Sequence, residues 1–216
     1  MNNPIKKSIF IFLFFILFKD LSFAQNSVGV EFGLGPSIVL PSNSILPYWD
    51  RGIKITGGIS YDILQDVQIF TNLRYARFRY IGGYPLILPA VYGIYARATG
   101  NASKVYEALL GVRFITPRHF IRPFISISGG IQSVYVGEIF VTHGFKTELR
   151  QEPEITYLVE STGKTKHSEF VCISYGLLVS LHPSIKLLID GSFSQSFDLK
   201  RPFYQLLGML QFKLNK

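Results

Sequence analysis

The 216-residue chain is 48% apolar and 15% aromatic, with 19 glycines, 12 tyrosines and 19 phenylalanines, a mix that favours strands and tight turns and excludes a disordered chain. Its net charge of +8 is scattered, two of those charges falling in the first 24 residues, so no basic stripe interleaved with aromatics forms and nucleic acid is not an expected partner. A single cysteine, Cys172, excludes an intrachain disulfide framework and a multi-cysteine metal site.

Lys6 and Lys7 lead into an unbroken apolar run from Ile9 to Phe18, and Ser22-Phe23-Ala24 places small residues at the two positions a signal peptidase reads. Residues 1–24 are therefore expected to be a secretory signal peptide, cleaved after Ala24, with residues 25–216 as the mature domain. The run is about ten residues, half of what a helix needs to cross a hydrocarbon core of about 30 Å, so a retained anchor is not expected. No cysteine follows it to carry a lipid.

Beyond Ala24 no stretch approaches about 18 consecutive apolar residues, and period-two alternation takes over. A first strand spans about 27–40. The second, 53–63, sets Ile53, Ile55, Ile59, Tyr61 and Ile63 on one face against Lys54, Thr56, Gly58, Ser60 and Asp62. A third, 67–81, shows an apparent change of phase: Gln68, Asn72 and Arg74 share a face that Arg77 and Arg79 leave, through a bulge or through a rise above a bilayer. The fourth alternates Tyr106, Leu110, Val112 and Phe114 with Glu107, Gly111 and Arg113. Strands at 120–137 and 168–181 follow, then Leu187, Ile189 and Phe193 against Lys186, Asp190, Ser192 and Ser194, and last Tyr204, Leu206, Leu210, Phe212 and Leu214 against Gln205, Gln211 and Lys213.

Eight strands result, joined by short links at 64–66, 116–119 and 182–183 that alternate with longer ones at 41–50, 82–103 and 138–167 and with a last outer link at 198–201 that is itself short. Short turns on the periplasmic side and long loops outside are the mark of outer-membrane barrels, so the expected fold is all-β: an antiparallel up-and-down transmembrane β-barrel. The 138–167 link, with five Glu and four Lys or Arg, would extend the fifth and sixth strands or add a hairpin, bringing the count to ten.

Residue size decides which face touches lipid. The polar faces carry Gly29, Gly33, Gly58, Ser60, Gly111, Ser126, Ser128, Gly130, Ser174, Gly176, Ser192 and Ser194, small residues suited to the narrow interior of eight strands. A soluble barrel would instead carry charge at nearly every second outward position. Glu31, Lys54, Asp62, Arg74, Glu107, Arg113, Lys186 and Asp190, four acids and four bases, are expected inside as a paired network that plugs the lumen. Tyr48, Trp49, Tyr61, Tyr106, Phe114, Phe197, Phe203, Tyr204 and Phe212 gather near strand ends and are expected to form two interfacial girdles.

With the leader, the strands and the loop asymmetry in place, the chain resembles the small outer-membrane β-barrels typified by the outer membrane protein A barrel and the opacity-type porins. The opening strand Val28-Gly29-Val30-Glu31-Phe32-Gly33 and the closing segment Leu206 to Leu214 carry most of the likeness. The resemblance implies a place in the cell outer membrane, contact with its lipid and lipopolysaccharide, and insertion by the barrel assembly machinery, which reads the last strand. Members commonly finish on an aromatic residue; here Phe212 precedes Lys213-Leu214-Asn215-Lys216.

Catalytic and metal chemistry find little support. His143, His167, Ser168 and Glu169 lie on or beside the third long link, but His167 and Ser168 are neighbours on a strand and point to opposite faces. Gly163-Lys164-Thr165 lacks the first glycine of a phosphate loop, and the four histidines, His119 and His182 among them, are spread over different links without ligand spacing. No cofactor, metal or enzymatic activity is expected, and the barrel is expected to be a monomer. A structural or surface-interaction role leads, a narrow porin-like channel is the alternative, and a rim enzyme acting on lipid A or a soluble lipocalin-like carrier stands behind them.

Overall fold

The computed structural model describes residues 27–39, 46, 48–82, 86, 94–116, 120–146, 152–159, 163–197 and 203–214. The expected signal peptide, His119 and the 198–201 link lie outside the described residues.

Eight long strands form one closed sheet: β1 (Val28–Val39), β2 (Trp49–Asp62), β3 (Val67–Tyr80), β5 (Ser103–Ile115), β6 (Ile121–Tyr135), β9 (Thr165–His182), β10 (Ile185–Ser196) and β11 (Phe203–Leu214). Each pairs antiparallel with its predecessor in this series, and β1 pairs with β11 to complete the ring. A walk along paired residues measures the stagger. It leaves β10 at Lys186, passes Gln211, Glu31, Gly58, Asn72, Leu109, Gly130 and Phe170, and returns to β10 at Ser196, ten residues further on. With strands about 4.8 Å apart and a rise of about 3.3 Å per residue, that stagger over eight strands sets a tilt of about 40° and a backbone radius of about 8 Å. Such a bore holds side chains and little else.

The small inward residues follow from this bore. A methyl group added at Gly58 would land on Asn72 and the Thr71 carbonyl, and one at Gly176 on the Ile189 carbonyl and the Phe124 ring. Side chains on these strands therefore alternate between a crowded inside and an open outside along nearly their whole length.

The phase of β3 does not change. Its pairing with β5 runs without a shift from Val67 to Phe78, so Arg77 and Arg79 simply occupy the outward face at its upper end. The irregularity lies on β2, between Trp49 and Gly52.

The other three strands, β4 (Ile94–Gly100), β7 (Ile139–Phe145) and β8 (Ile155–Leu158), form a separate antiparallel sheet in the order β4-β7-β8. Residues of the second and third long links thus pair with each other above the barrel. The 138–167 segment supplies a hairpin, as the sequence suggested, but the barrel count stays at eight because β7 pairs with β4 rather than with the wall. At the opposite end the links are tight: Ile63 and Leu64 donate to the Val67 carbonyl, and the Ser184 amide donates to His182 Nδ1 in the two-residue turn between β9 and β10.

Candidate functional site

The outward face of the eight strands carries a broad apolar belt. Ile53 is 68% exposed and Leu110 62%, and Leu34, Ile55, Leu73, Ile125, Ile127, Ile131, Ile173, Ile189 and Leu206 are exposed beside them. Water-facing surfaces of single proteins rarely carry more than a few hundred Å² of contiguous apolar area, whereas a belt wrapping a whole barrel matches a bilayer.

Inside, the charged residues fall into three groups. Toward the short-turn end, the Arg113 guanidinium grips Glu31 with two contacts, Nη1–Oε1 at 2.8 Å and Nη2–Oε2 at 3.3 Å, and donates also to Gln68. Gln211 Nε2 donates to Glu31 Oε1 at 2.9 Å and to Ser60 Oγ at 2.7 Å, and the guanidinium sits over the rings of Phe70 and Phe124 at 4.7 and 5.2 Å. In the upper half, Lys54 Nζ lies 2.5 Å from both Glu107 Oε2 and Gln205 Oε1, while Arg74 lies 4.0 Å from Glu107 and 3.9 Å from Asp190. At the lower mouth Asp62 accepts from Lys213 at 2.5 Å, Ser27 at 2.6 Å and Gln68 at 2.7 Å. Lys186 is brought to this same end, beside Lys213, yet among the described residues it makes no ion pair within 4.0 Å. Lys213 is the partner that sequence reasoning placed on the polar face without including it in the charged set.

Much of the interior is apolar, which the alternation pattern did not anticipate. Ile115, Phe124, Leu178, Leu188, Leu207 and Met209 pack together, as do Phe70, Leu109, Phe170 and Cys172. The signal was present where both phases of a strand are greasy, as at Ile69-Phe70, Leu109-Leu110 and Leu206-Leu207.

A third cluster caps the upper mouth: Leu46, Trp49, Ala76, Phe78, Val105, Val134, Ile139 and Phe203, with Tyr48, Tyr80, Ala98, Val136 and Val159 packed against it. It corrects three of the expected interfacial aromatics. Trp49 and Phe203 are each 2% exposed and face inward, and Tyr48 leans on the same cluster. Phe203 shares the inward phase of Gln205, and the irregularity on β2 shifts the phase so that Trp49 turns toward the axis, where its Nε1 donates to the Asn101 carbonyl at 3.0 Å. Tyr61, Tyr106, Phe114, Phe197, Tyr204 and Phe212 do face outward and are exposed.

Of the chemically suggestive residues, Ser168 faces the lumen and bonds Gln132 and Ser196, and His143 stacks edge-on against Tyr157 in the small sheet. His167 meets Ser133 across the β6–β9 pair, Oγ to Nδ1 at 2.7 Å, on the outward face. Among the described residues no three His, Cys, Asp or Glu converge as metal ligands.

An eight-stranded meander, closed at a stagger of ten, greasy outside and ion-paired within, leaves one architecture. The fold is that of the small outer-membrane barrels. Neisserial surface protein A shares it, with a TM-score of 0.50 at 10% identity over 88% of this chain and 98% of that one. The attachment invasion locus protein Ail of Yersinia pestis aligns at a TM-score of 0.42 and 12% identity over 87% and 97% of the two chains. The N-terminal β-barrel domain of Pseudomonas aeruginosa OprF aligns at 0.41 and 15% over 88% and 98%. At 10% identity the likeness to Neisserial surface protein A bears on the fold and on nothing finer. No protein-family model and no curated protein matches the chain.

Proposed function

We propose that this chain is an integral protein of the bacterial outer membrane whose barrel is a non-conducting pedestal, with a structural or surface-interaction role for the sheet of β4, β7 and β8 that it holds up. The observation that carries this reading is the pairing of a broad apolar outer belt with buried interior ion pairs and an apolar cap across the upper mouth. A barrel meets the demand that every backbone group be bonded within the bilayer, and the tight bore leaves the polar interior to bond itself. The edge strand β8 offers Ile155, Tyr157 and Leu158, all exposed, as an apolar edge for a partner.

In this reading the protein is a monomer, reaches the membrane through its leader and the barrel assembly machinery, sits among lipid and lipopolysaccharide, and is not an enzyme. Cell fractionation with gel migration of unheated and boiled samples tests the placement: a detergent-resistant species that shifts on boiling is expected in the outer-membrane fraction. Planar-bilayer recording tests the closed lumen, where silence is expected. A narrow water path is the second reading. It is favoured by the Asn72 amide, Arg74 Nε and Asp190 Oδ1, buried polar atoms with no protein hydrogen-bond partner among the described residues, and steady conductance would establish it.

A further inference from the structure

Above the apolar belt, on three adjacent strands, the outward face turns basic. Arg51 on β2 and Arg77 and Arg79 on β3 line one groove of about 760 Å³ together with Ile53 and Ile81, bounded above by Ala98 to Gly100 of β4. Arg77 stands directly across the β3–β5 pair from Lys104, and Arg79 stands opposite the irregular stretch that carries Arg51. Like charges directly opposite on one face of a sheet destabilise it, and this face has gathered four cations. The one acid within ion-pair distance of them, among the described residues, is Asp50, 3.6 Å from Arg51. Lys104 rests half-buried 5.9 Å from the Tyr135 ring centroid, which holds it at the wall.

A second groove, about 540 Å³, lies directly below on the same strands. It is walled by Ile55, Leu73, Tyr75 and Tyr106 and floored by Gly57 and Ala108, the smallest outward residues of this sector. Ile53 and Ile55 are successive outward positions on β2, as are Arg77 and Tyr75 on β3, so the basic groove stands next above the apolar one along the same strands. Side chains there could have been larger: a Cβ at Gly57 would meet only the Phe32 ring, at 3.7 Å.

We propose that this sector is a binding site for a phosphate-bearing lipid, the phosphate held by Arg51, Arg77, Arg79 and Lys104 and an acyl chain lying in the trough over Gly57 and Ala108. Guanidinium groups bind phosphate oxygens in bidentate fashion, and a dianion between Arg77 and Lys104 turns their mutual repulsion into attraction for the ligand. A solvated rim would need neither the recess below nor the concentration of cations on one third of the wall. The inference rests on the proposed membrane placement, since the acyl groove must face lipid.

The test uses the full chain purified in detergent, stripped of co-purifying lipid and incubated with dioleoyl phosphatidic acid or dioleoyl phosphatidylcholine, with bound lipid counted by native mass spectrometry. The wild type is expected to retain the phosphomonoester lipid at least about tenfold over the zwitterionic one. Arg77→Gln with Arg79→Gln is expected to bring that ratio close to one, Lys164→Gln with Lys166→Gln, a charge-matched change elsewhere on the rim, to leave it, and Gly57→Phe to lower retention of phosphatidic acid. Inorganic phosphate in excess is expected not to displace the lipid; displacement would mean a free-phosphate site and overturn the lipid assignment. Equal retention of both lipids by the wild type, or selectivity that survives the double arginine change, would overturn the site. Boiled and unheated gel migration of each sample separates the two levels: a folded, heat-shifting barrel without selectivity removes only this inference, and a wild type that never shows the shift removes the barrel placement itself. If the double arginine variant does not fold, Arg79→Gln alone is read in its place, with the same expected fall in selectivity.

Discussion

Lys54 on β2 and Glu107 on β5 face each other across the bore, their charged atoms 2.5 Å apart and both fully enclosed. One strand, β3, separates them in pairing order and 53 residues in sequence, so the contact ties together parts of the wall a quarter turn apart. Gln205 of β11 bonds both partners and adds a third wall to the same knot.

Removing one member of this pair strands the other in a medium of low effective dielectric. Lys54→Met is expected to cost about 3–5 kcal/mol of folding stability, whereas Lys54→Met combined with Glu107→Leu is expected to lie much closer to the wild type. Urea titration of the barrel refolded in micelles, read by the gel shift, measures the cycle. A loss in the double variant equal to the sum of the losses of Lys54→Met and Glu107→Leu measured singly would show that the pair is not coupled.

The outward face makes a depth-dependent prediction. Leu110→Arg and Ile189→Arg, within the apolar belt, are expected to cost about 2–4 kcal/mol in bilayers, and Arg77→Leu at the upper rim far less. Spin labels at Ile55, Leu110 and Ile189 should report contact with lipid-soluble oxygen, and labels at Ser128 and Ser192 should be shielded from it. Reversed accessibilities would turn the barrel inside out.

Two glycines separate inside from outside by size alone. Gly176→Ala places a methyl group against the Ile189 carbonyl and the Phe124 ring and is expected to destabilise by about 1–3 kcal/mol or more. Gly208→Ala, outward with nothing nearer than the Leu34 carbonyl at 3.9 Å, is expected to be neutral. Folding yields in micelles compare them directly.

Trp49 joins the barrel mouth to the second long link. Trp49→Ala removes a buried side chain and the bond to the Asn101 carbonyl, at an expected cost of about 3–5 kcal/mol, and should raise protease cleavage of that link on intact cells. Unchanged cleavage would show that the cap does not anchor the link.

The barrel strands were readable because their period is two and their small residues sit in one phase: Ser126, Ser128 and Gly130 on β6 could belong only to a narrow inside. Charged lumen positions were readable for the same reason, since Glu31, Lys54 and Arg113 share the phase of glycines and serines. What stayed hidden depended on contacts between distant segments. β4 and β7 are short and lie in different links, and each looks like loop until the other is beside it. Trp49 could not be placed because a one-residue irregularity reverses the face of everything before it, and such a slip leaves no mark on composition. The pairing of Ser133 with His167 could not be read because their 2.7 Å contact joins residues 34 apart.

The pairing of β1 with β11 means that the first and last strands of the wall are neighbours, and that the ring is complete only when the two finish together. Any chain stopped before β11 leaves two strand edges unpaired, which a hydrocarbon surrounding cannot satisfy. The same adjacency lets new termini be opened at one of the upper links and the old ones be joined, without altering the order of strands around the ring.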